Sequence, residues 1–250
     1  MAPDYNFDKI KFATDGQTFE RAVEIYESDG VKNFESVGSG FSAKVMGSKG
    51  DFYNVFVSAK RYDRGNCDCY LGQNETLCKH LVALAIYAVM RGDKLSAEDK
   101  QIISGPKCNG RLGELSKEEL TRAKEDIALA MRYIKSYTGP SKNWFAYQDS
   151  LCEGCARLSK IVSELPVSTQ TAKLLVHTLL RLDKKLSYGV DDSDGTVGGF
   201  IEEAVLMLQE FVKIDSKCVK VFKKLCGIET MFGWEEPLVK IFDEQQLNKN

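Results

Sequence analysis

The sequence predicts an α+β protein in which a small β-hairpin and helix module precedes an all-helical domain, and three observations carry that prediction. Two apolar-alternating runs flank the turn-forming Gly47-Ser48-Lys49-Gly50 in the first part of the chain. From Ser116 onward the apolar residues recur by threes and fours with no strand-like alternation. Between the two patterns, Ser104-Gly105-Pro106-Lys107-Cys108-Asn109-Gly110 has the Gly and Pro content of a linker. The expected domains are therefore 1–107 and 111–250, in keeping with roughly 150 residues per domain.

Each element follows from local pattern. Residues 18–27 place Phe19, Ala22, Val23 and Tyr26 on one helical face, and Asp29-Gly30 ends the helix. Phe41, Ala43 and Val45 alternate with polar neighbours to give one strand, and residues 51–59, rich in Phe, Tyr and Val, give its partner. Residues 79–91 are apolar almost all round, which suits a helix buried against that hairpin.

In the second part, Ser116 with Glu119 three residues later is a capping-box signature. The stripe Leu120, Ala123, Ile127, Ala130, Met131, Ile134 follows it and stops at Gly139-Pro140. Trp144, Tyr147, Leu151, Cys155, Leu158, Val162 and Leu165 make a second stripe, closed by Pro166. Further helices are expected over 168–186 and 199–212, with short ones over 216–225 and 236–242. Antiparallel helices of this size form a HEAT-like stack or a compact bundle, although no clear repeat is visible.

Composition narrows the class. With 43% hydrophobic and 28% charged residues the chain is expected to fold, and 34 basic against 36 acidic side chains exert no overall pull on a polyanion. Eight cysteines in 250 residues are too sparse for a disulfide scaffold. The first residues carry Asp4, Asp8, Lys9 and Lys11 without an apolar run, so they do not read as a secretory signal. The longest apolar stretch, 81–90, is half of the ~20 residues that a spanning helix needs. These observations point to a cytoplasmic protein without a membrane segment or membrane partner.

The most specific feature is Cys67-x-Cys69, eight residues, then Cys78-x-His80. Three cysteines and one histidine are a standard donor set for structural Zn²⁺, with sulfur at ~2.3 Å and imidazole nitrogen at ~2.0–2.1 Å. Alternate residues of a strand project to one side, so Cys67 and Cys69 can act together at the end of the second hairpin strand. Cys78 and His80 would sit in the first turn of the apolar helix. One zinc per chain, held by four protein donors, would clip strand end to helix start and leave no position for water or substrate. Metal-coupled folding of ~10–16 kcal/mol exceeds what a small hairpin core supplies, so the metal-free module is expected to be largely unfolded. The alternative is that the cysteines are simply buried and His80 caps the helix.

This pattern resembles the SWIM zinc finger, in which Cys-x-Cys, a variable gap and Cys-x-His stand at a helix start. The order hairpin then helix, Tyr26 and Gly30 ahead of the hairpin, and Cys78-Lys79-His80 running into an apolar helix extend the resemblance over about residues 15–91. The helical tail, with segments 144–150 and 190–200, is similar to that of stand-alone prokaryotic members. The resemblance implies DNA or protein as partner, in proteins as varied as chromatin remodellers and transposases. It implies no enzymatic activity and no small-molecule substrate.

A nucleic-acid surface would have to be local. Residues 44–91 hold seven basic and four acidic side chains. Lys60, Arg61, Arg64 and Lys79, with Tyr62 and Tyr70 to stack on bases, are the candidate contacts. The other reading is a solvated face with half-buried tyrosines.

The remaining signals are weaker. Cys152-Glu153-Gly154-Cys155 has the spacing of a redox or half-metal motif, and a redox or metal-dependent enzyme using Cys152 and Cys155 is the alternative function. It falls within a helix that Gly154 interrupts, with Cys155 on the apolar stripe, which reads as packing. A second metal site would have to recruit Cys108, His177, Cys218 or Cys226, and His177, in a leucine-rich helix, reads as a core or boundary residue. Asp191-Asp192-Ser193-Asp194-Gly195 fails the EF-hand pattern, having Val190 and Ile201 at its first and twelfth positions, and reads as a loop capping the next helix. Gly195-Thr196-Val197-Gly198-Gly199 lacks the Lys-Ser/Thr and the preceding strand of a phosphate loop.

Overall fold

The computed structural model describes residues 1–102, 104–140 and 144–247. The chain divides into two compact units, Met1–Ile102 and Ile103–Asn250.

The first unit begins with two capped helices. Asn6 and Asp15 accept the Lys9 and Thr18 N–H groups, each at 2.9 Å, and start α1 (Phe7–Ala13) and α2 (Gly16–Glu27). Four strands follow in the order β1 (Val31–Val37), β2 (Gly40–Met46), β3 (Phe52–Ser58) and β4 (Gly65–Cys67), all antiparallel neighbours in one sheet. The expected hairpin is β2 and β3, in register from Gly40 opposite Ser58 to Met46 opposite Phe52. It is the middle of a larger sheet.

Both flanking strands escape pattern reading for physical reasons. In β1 the pairing shifts between Lys32 and Glu35, where Asn33 adopts φ +53°, so the inward and outward positions do not alternate cleanly. β4 has only three residues and contains Gly65. A Cβ on Gly65 would stand 2.2 Å from the Phe56 carbonyl oxygen, so only glycine lets β4 close on β3 there.

After β4 come the single-turn α3 (Tyr70–Gln73), α4 (Lys79–Met90) and the short α5 (Ala97–Lys100), whose Ser96 and Asp99 form a capping box. α4 packs on β2 and β3 on one side and on α1 and α2 on the other, which is why residues 80–86 are buried without interruption. Ile10, Phe19, Phe41, Leu84 and Ile86 are fully buried in this core, each contributing about 1.5–3 kcal/mol.

The second unit is helical: α6 (Lys117–Ala130), α7 (Trp144–Ser163), α8 (Thr169–Ser187), α9 (Thr196–Ile214), a 3₁₀ helix (Ser216–Leu225), a short 3₁₀ turn (Met231–Gly233) and α10 (Glu236–Leu247). The Ser116/Glu119 capping box is present. α9 contacts α7, α8, the 3₁₀ helix and α10, so the unit is a bundle around α9 with one continuous core. A solenoid passes contacts only from one repeat to the next.

The segment expected to be a linker belongs to this second unit. The Lys107 N–H donates to Ser163 Oγ, the Asn109 amide to the Ser163 and Leu165 carbonyls, and Arg111 to the Glu164 carbonyl, all between 2.8 and 3.0 Å. Leu112 bridges Val167. The free carbonyls at the end of α7 need donors, and this stretch supplies them.

Gly154 does not interrupt α7, which runs unbroken through it. A Cβ there would lie 2.7 Å from Ile134 Cγ1 and 3.0 Å from Tyr133 Cβ, so the glycine permits a close approach to the chain leaving α6.

Candidate metal centre

The four residues singled out by spacing converge. Cys67, Cys69, Cys78 and His80 are all buried, and one donor atom from each lies within 4.8 Å of all the others. Among the described residues they are the one such group of histidine, cysteine or carboxylate side chains.

Their placement corrects one detail. Cys67 ends β4, the fourth strand, instead of the second strand of the hairpin, and lies opposite Val55 of β3. Cys69 is the N-cap of α3, and its sulfur accepts the Gly72 N–H at 3.3 Å. Cys78 is the N-cap of α4, where it makes no side-chain capping bond, and His80 is the second residue of that helix. The Cys78 sulfur is directed instead to the cluster, where it meets Cys67 and His80.

Supporting residues hold the pair Cys67-x-Cys69 in place. Asp68 points outward and accepts from the Asn54 N–H at 3.0 Å and the Asn54 side-chain amide at 2.8 Å, pinning the segment to β3. Gln73 donates to the Asp68 carbonyl at 2.8 Å. A Cβ on Gly72 would stand 2.3 Å from the Cys67 carbonyl oxygen, so α3 can fold over Cys67 only with glycine there. The Tyr53 ring lies 4.6 Å from the His80 imidazole, tilted by 38°, and fixes its plane. Sequence reasoning missed Asn54, Asp68, Gly72 and Tyr53, because their roles depend on β3 lying beside β4.

Tetrahedral coordination at the usual zinc bond lengths puts neighbouring donors about 3.6–3.8 Å apart. Cys67 Sγ and His80 Nδ1 are 3.8 Å apart. His80 Nε2 is buried without a hydrogen-bond partner, so the ring is oriented by packing against Tyr53 instead of by an outer carboxylate or carbonyl. Hydrogen bonding between Cys67 and Cys78 pushes the Cys78 thiol well below its usual range and Cys67 above it, with burial raising both. Three sulfurs and one imidazole in this arrangement could hold a metal ion.

The basic residues of this unit are more scattered. Lys60 and Arg64 are exposed and Tyr70 is 81% exposed, but Arg61 pairs with Asp63 and Lys79 donates to Ser48 Oγ in the β2–β3 turn. Tyr62 is buried, and the Thr14 hydroxyl donates to its OH at 3.2 Å, so it offers no face for stacking. This corrects the expectation for that residue.

The other candidates do not assemble. Cys152 is exposed, with its sulfur 3.5 Å from Thr196 Oγ1, while Cys155 is buried in the bundle core. Burial raises the Cys155 thiol strongly, and packing of the Cys152 sulfur beside α9, with Asp194 and Asp149 nearby, raises that thiol too, so neither favours the thiolate that redox chemistry or metal binding needs. His177 is exposed, contrary to its expected core or boundary position. Cys108 is half-buried, Cys218 buried and Cys226 exposed.

The acidic loop is a cap, as its composition predicts. Asp192 accepts the Val197 and Gly198 N–H groups at 2.7 and 2.8 Å, and Asp194 accepts the Thr196 N–H at 3.1 Å. Asp191 accepts from Trp144 Nε1 at 3.0 Å and from Ser193. Among the described residues no helix is long and apolar enough to cross a membrane. No family model matches the chain, and neither a curated protein nor a solved structure matches it significantly.

Proposed function

We propose that the Met1–Ile102 unit is a SWIM-type module holding one structural Zn²⁺, and that the chain is a non-enzymatic adaptor for DNA or protein within a cytosolic complex. The observation that carries this reading is the convergence of Cys67, Cys69, Cys78 and His80 in a buried cluster where strand end meets helix start. Bound there, the ion would supply cross-linking and no Lewis-acid chemistry, because protein donors fill a tetrahedral shell. Gly72 N–H supports the Cys69 sulfur, and Tyr53 holds the imidazole plane. None of the eight cysteines is paired in a disulfide, so Cys67, Cys69 and Cys78 are available as metal ligands. On the nucleic-acid side, exposed Lys60, Arg64 and Tyr70 support a contact surface beside the cluster, with Arg61 and Lys79 recruited from their present partners.

Elemental analysis of the purified protein tests the metal. One zinc per chain is expected, lost in Cys69→Ser and in His80→Ala. No zinc in the unaltered protein overturns the reading, and a second zinc that disappears in Cys155→Ser makes the Cys152/Cys155 pair a ligand set.

A further inference from the structure

The 3₁₀ helix Ser216–Leu225 is ten residues long, whereas such helices usually last three or four. Its sequence has a matching period of three. Lys217, Lys220 and Lys223 are exposed, Val219, Phe222 and Leu225 are buried, and so are Cys218 and Val221. With three residues per turn, residues three apart eclipse one another, so each set forms a column parallel to the axis. An α-helix would rotate the three lysines steadily away from a common line.

The lysine column therefore stands straight, with neighbours about 6 Å apart along the axis. Lys224 flanks it. Between residues 213 and 224 the sequence has five lysines and one carboxylate, Asp215, whose side chain accepts the Lys217 N–H as the helix cap. Lys213 pairs with Glu210, but Lys217, Lys220, Lys223 and Lys224 have no ion-pair partner among the described residues. The neighbouring α10 carries Glu236, Asp243 and Glu244, which border a groove with Leu225 and pair with none of these lysines. Like charges stacked on one face repel, so the folded protein maintains an arrangement that an anion would relieve.

The form of the array indicates the anion. Evenly spaced charges along a line on an exposed face complement a linear polyanion better than a single phosphate, which needs converging donors. Lysines act as point charges and suit backbone contact without sequence preference. A membrane-lying helix would need apolar side chains beside the basic ones to insert. Here Val219, Phe222 and Leu225, like Cys218 and Val221, are already buried in the bundle core, so this helix itself presents no apolar side chain to a bilayer.

We propose that Lys217, Lys220 and Lys223, with Lys224, form a track for the phosphodiester backbone of nucleic acid. The track rests on the reading of the chain as an interaction protein and locates a contact surface in its helical unit, separate from the residues beside the metal cluster.

The test is fluorescence anisotropy of a short labelled DNA duplex of arbitrary sequence with the full chain, repeated over a KCl series. Log affinity is expected to fall with log salt at a slope of about −3 to −4, one phosphate per lysine. Lys217→Gln/Lys220→Gln/Lys223→Gln should lose about tenfold or more in affinity and most of that slope, while the corresponding triple Arg variant retains both. These positions are exposed, and an unchanged circular-dichroism melt confirms folding. If Lys60→Gln/Arg61→Gln/Arg64→Gln abolishes binding and the column variant does not, the track is overturned and DNA contact beside the metal cluster stands. Absence of duplex binding by the unaltered protein overturns both, leaving a protein partner. Tighter binding to phosphatidylserine vesicles than to the duplex also overturns the track.

Discussion

At the residue scale, the metal cluster depends on a position with no side chain. Gly72 donates its N–H to Cys69 Sγ, and a methyl group there would meet the Cys67 carbonyl oxygen at 2.3 Å and Cys67 Cβ at 2.6 Å. Neither backbone neighbour can rotate away, so α3 must shift and carry Cys69 with it. Gly72→Ala is expected to lower zinc affinity at least about tenfold, the scale of losses from altered outer-shell contacts, in a competition titration against a chromogenic chelator. Unchanged affinity would mean that the Cys69 sulfur is placed by the metal alone. Gly154 poses the same question in the bundle. Alanine would gain about 1 kcal/mol of helix propensity, yet its methyl would press on Ile134 and Tyr133. Overpacking of about 1–3 kcal/mol should prevail, and denaturant unfolding of Gly154→Ala should show a net loss of stability.

At the element scale, α9 has Gly195 as its N-cap, with φ +75° and no side chain to cap with. Asp192 takes that task from three residues earlier by accepting two helix N–H groups. Asp192→Ala should cost about 1–2 kcal/mol, read as a lower midpoint in urea. Burial raises the Asp192 pKa, so in the folded state the proton is held more tightly than in the unfolded chain. A carboxyl shifted upward stabilises the fold fully below its unfolded value near 3.8, and that contribution fades as pH rises through the folded value. Asp192→Asn removes the ionisation, so its deficit relative to the unaltered protein should shrink as pH rises from 4 towards neutrality. A deficit that grows over that range would show that the charge itself is what caps α9.

For the whole molecule, the two units make separate predictions. The first has a core of α1, α2, α4 and a four-stranded sheet, larger than the hairpin core expected from pattern alone. That changes the expected consequence of metal removal. Chelation should open the segment from β4 to the start of α4, while the sheet and the middle of α4 keep most of their hydrogen-exchange protection. Complete loss of protection throughout the first unit would restore the view that zinc drives its folding. The helical unit contains no part of the cluster, and its exchange should be unaffected by chelator.

How much was legible in the sequence differs between these scales. Cys67, Cys69, Cys78 and His80 could be chosen by spacing because donor chemistry is written in residue type, and a buried convergent cluster is what that spacing predicts. The helices over 116–225 and the strands at 41–45 and 51–59 were legible because a buried face imposes a period. β1, β4 and α3 were not, since a bulge, a three-residue strand and a single turn carry too few positions for any period to emerge. The period of three in Lys217, Lys220 and Lys223 is plain in the sequence, but only the bundle decides that Cys218, Val219, Val221, Phe222 and Leu225 are the side chains it buries. In the same way, residue types alone determined which side chains can share a metal. The tertiary structure decided which glycine, asparagine and tyrosine hold them together, because those contacts join β3, β4 and α3 across gaps in sequence where local pattern has no reach.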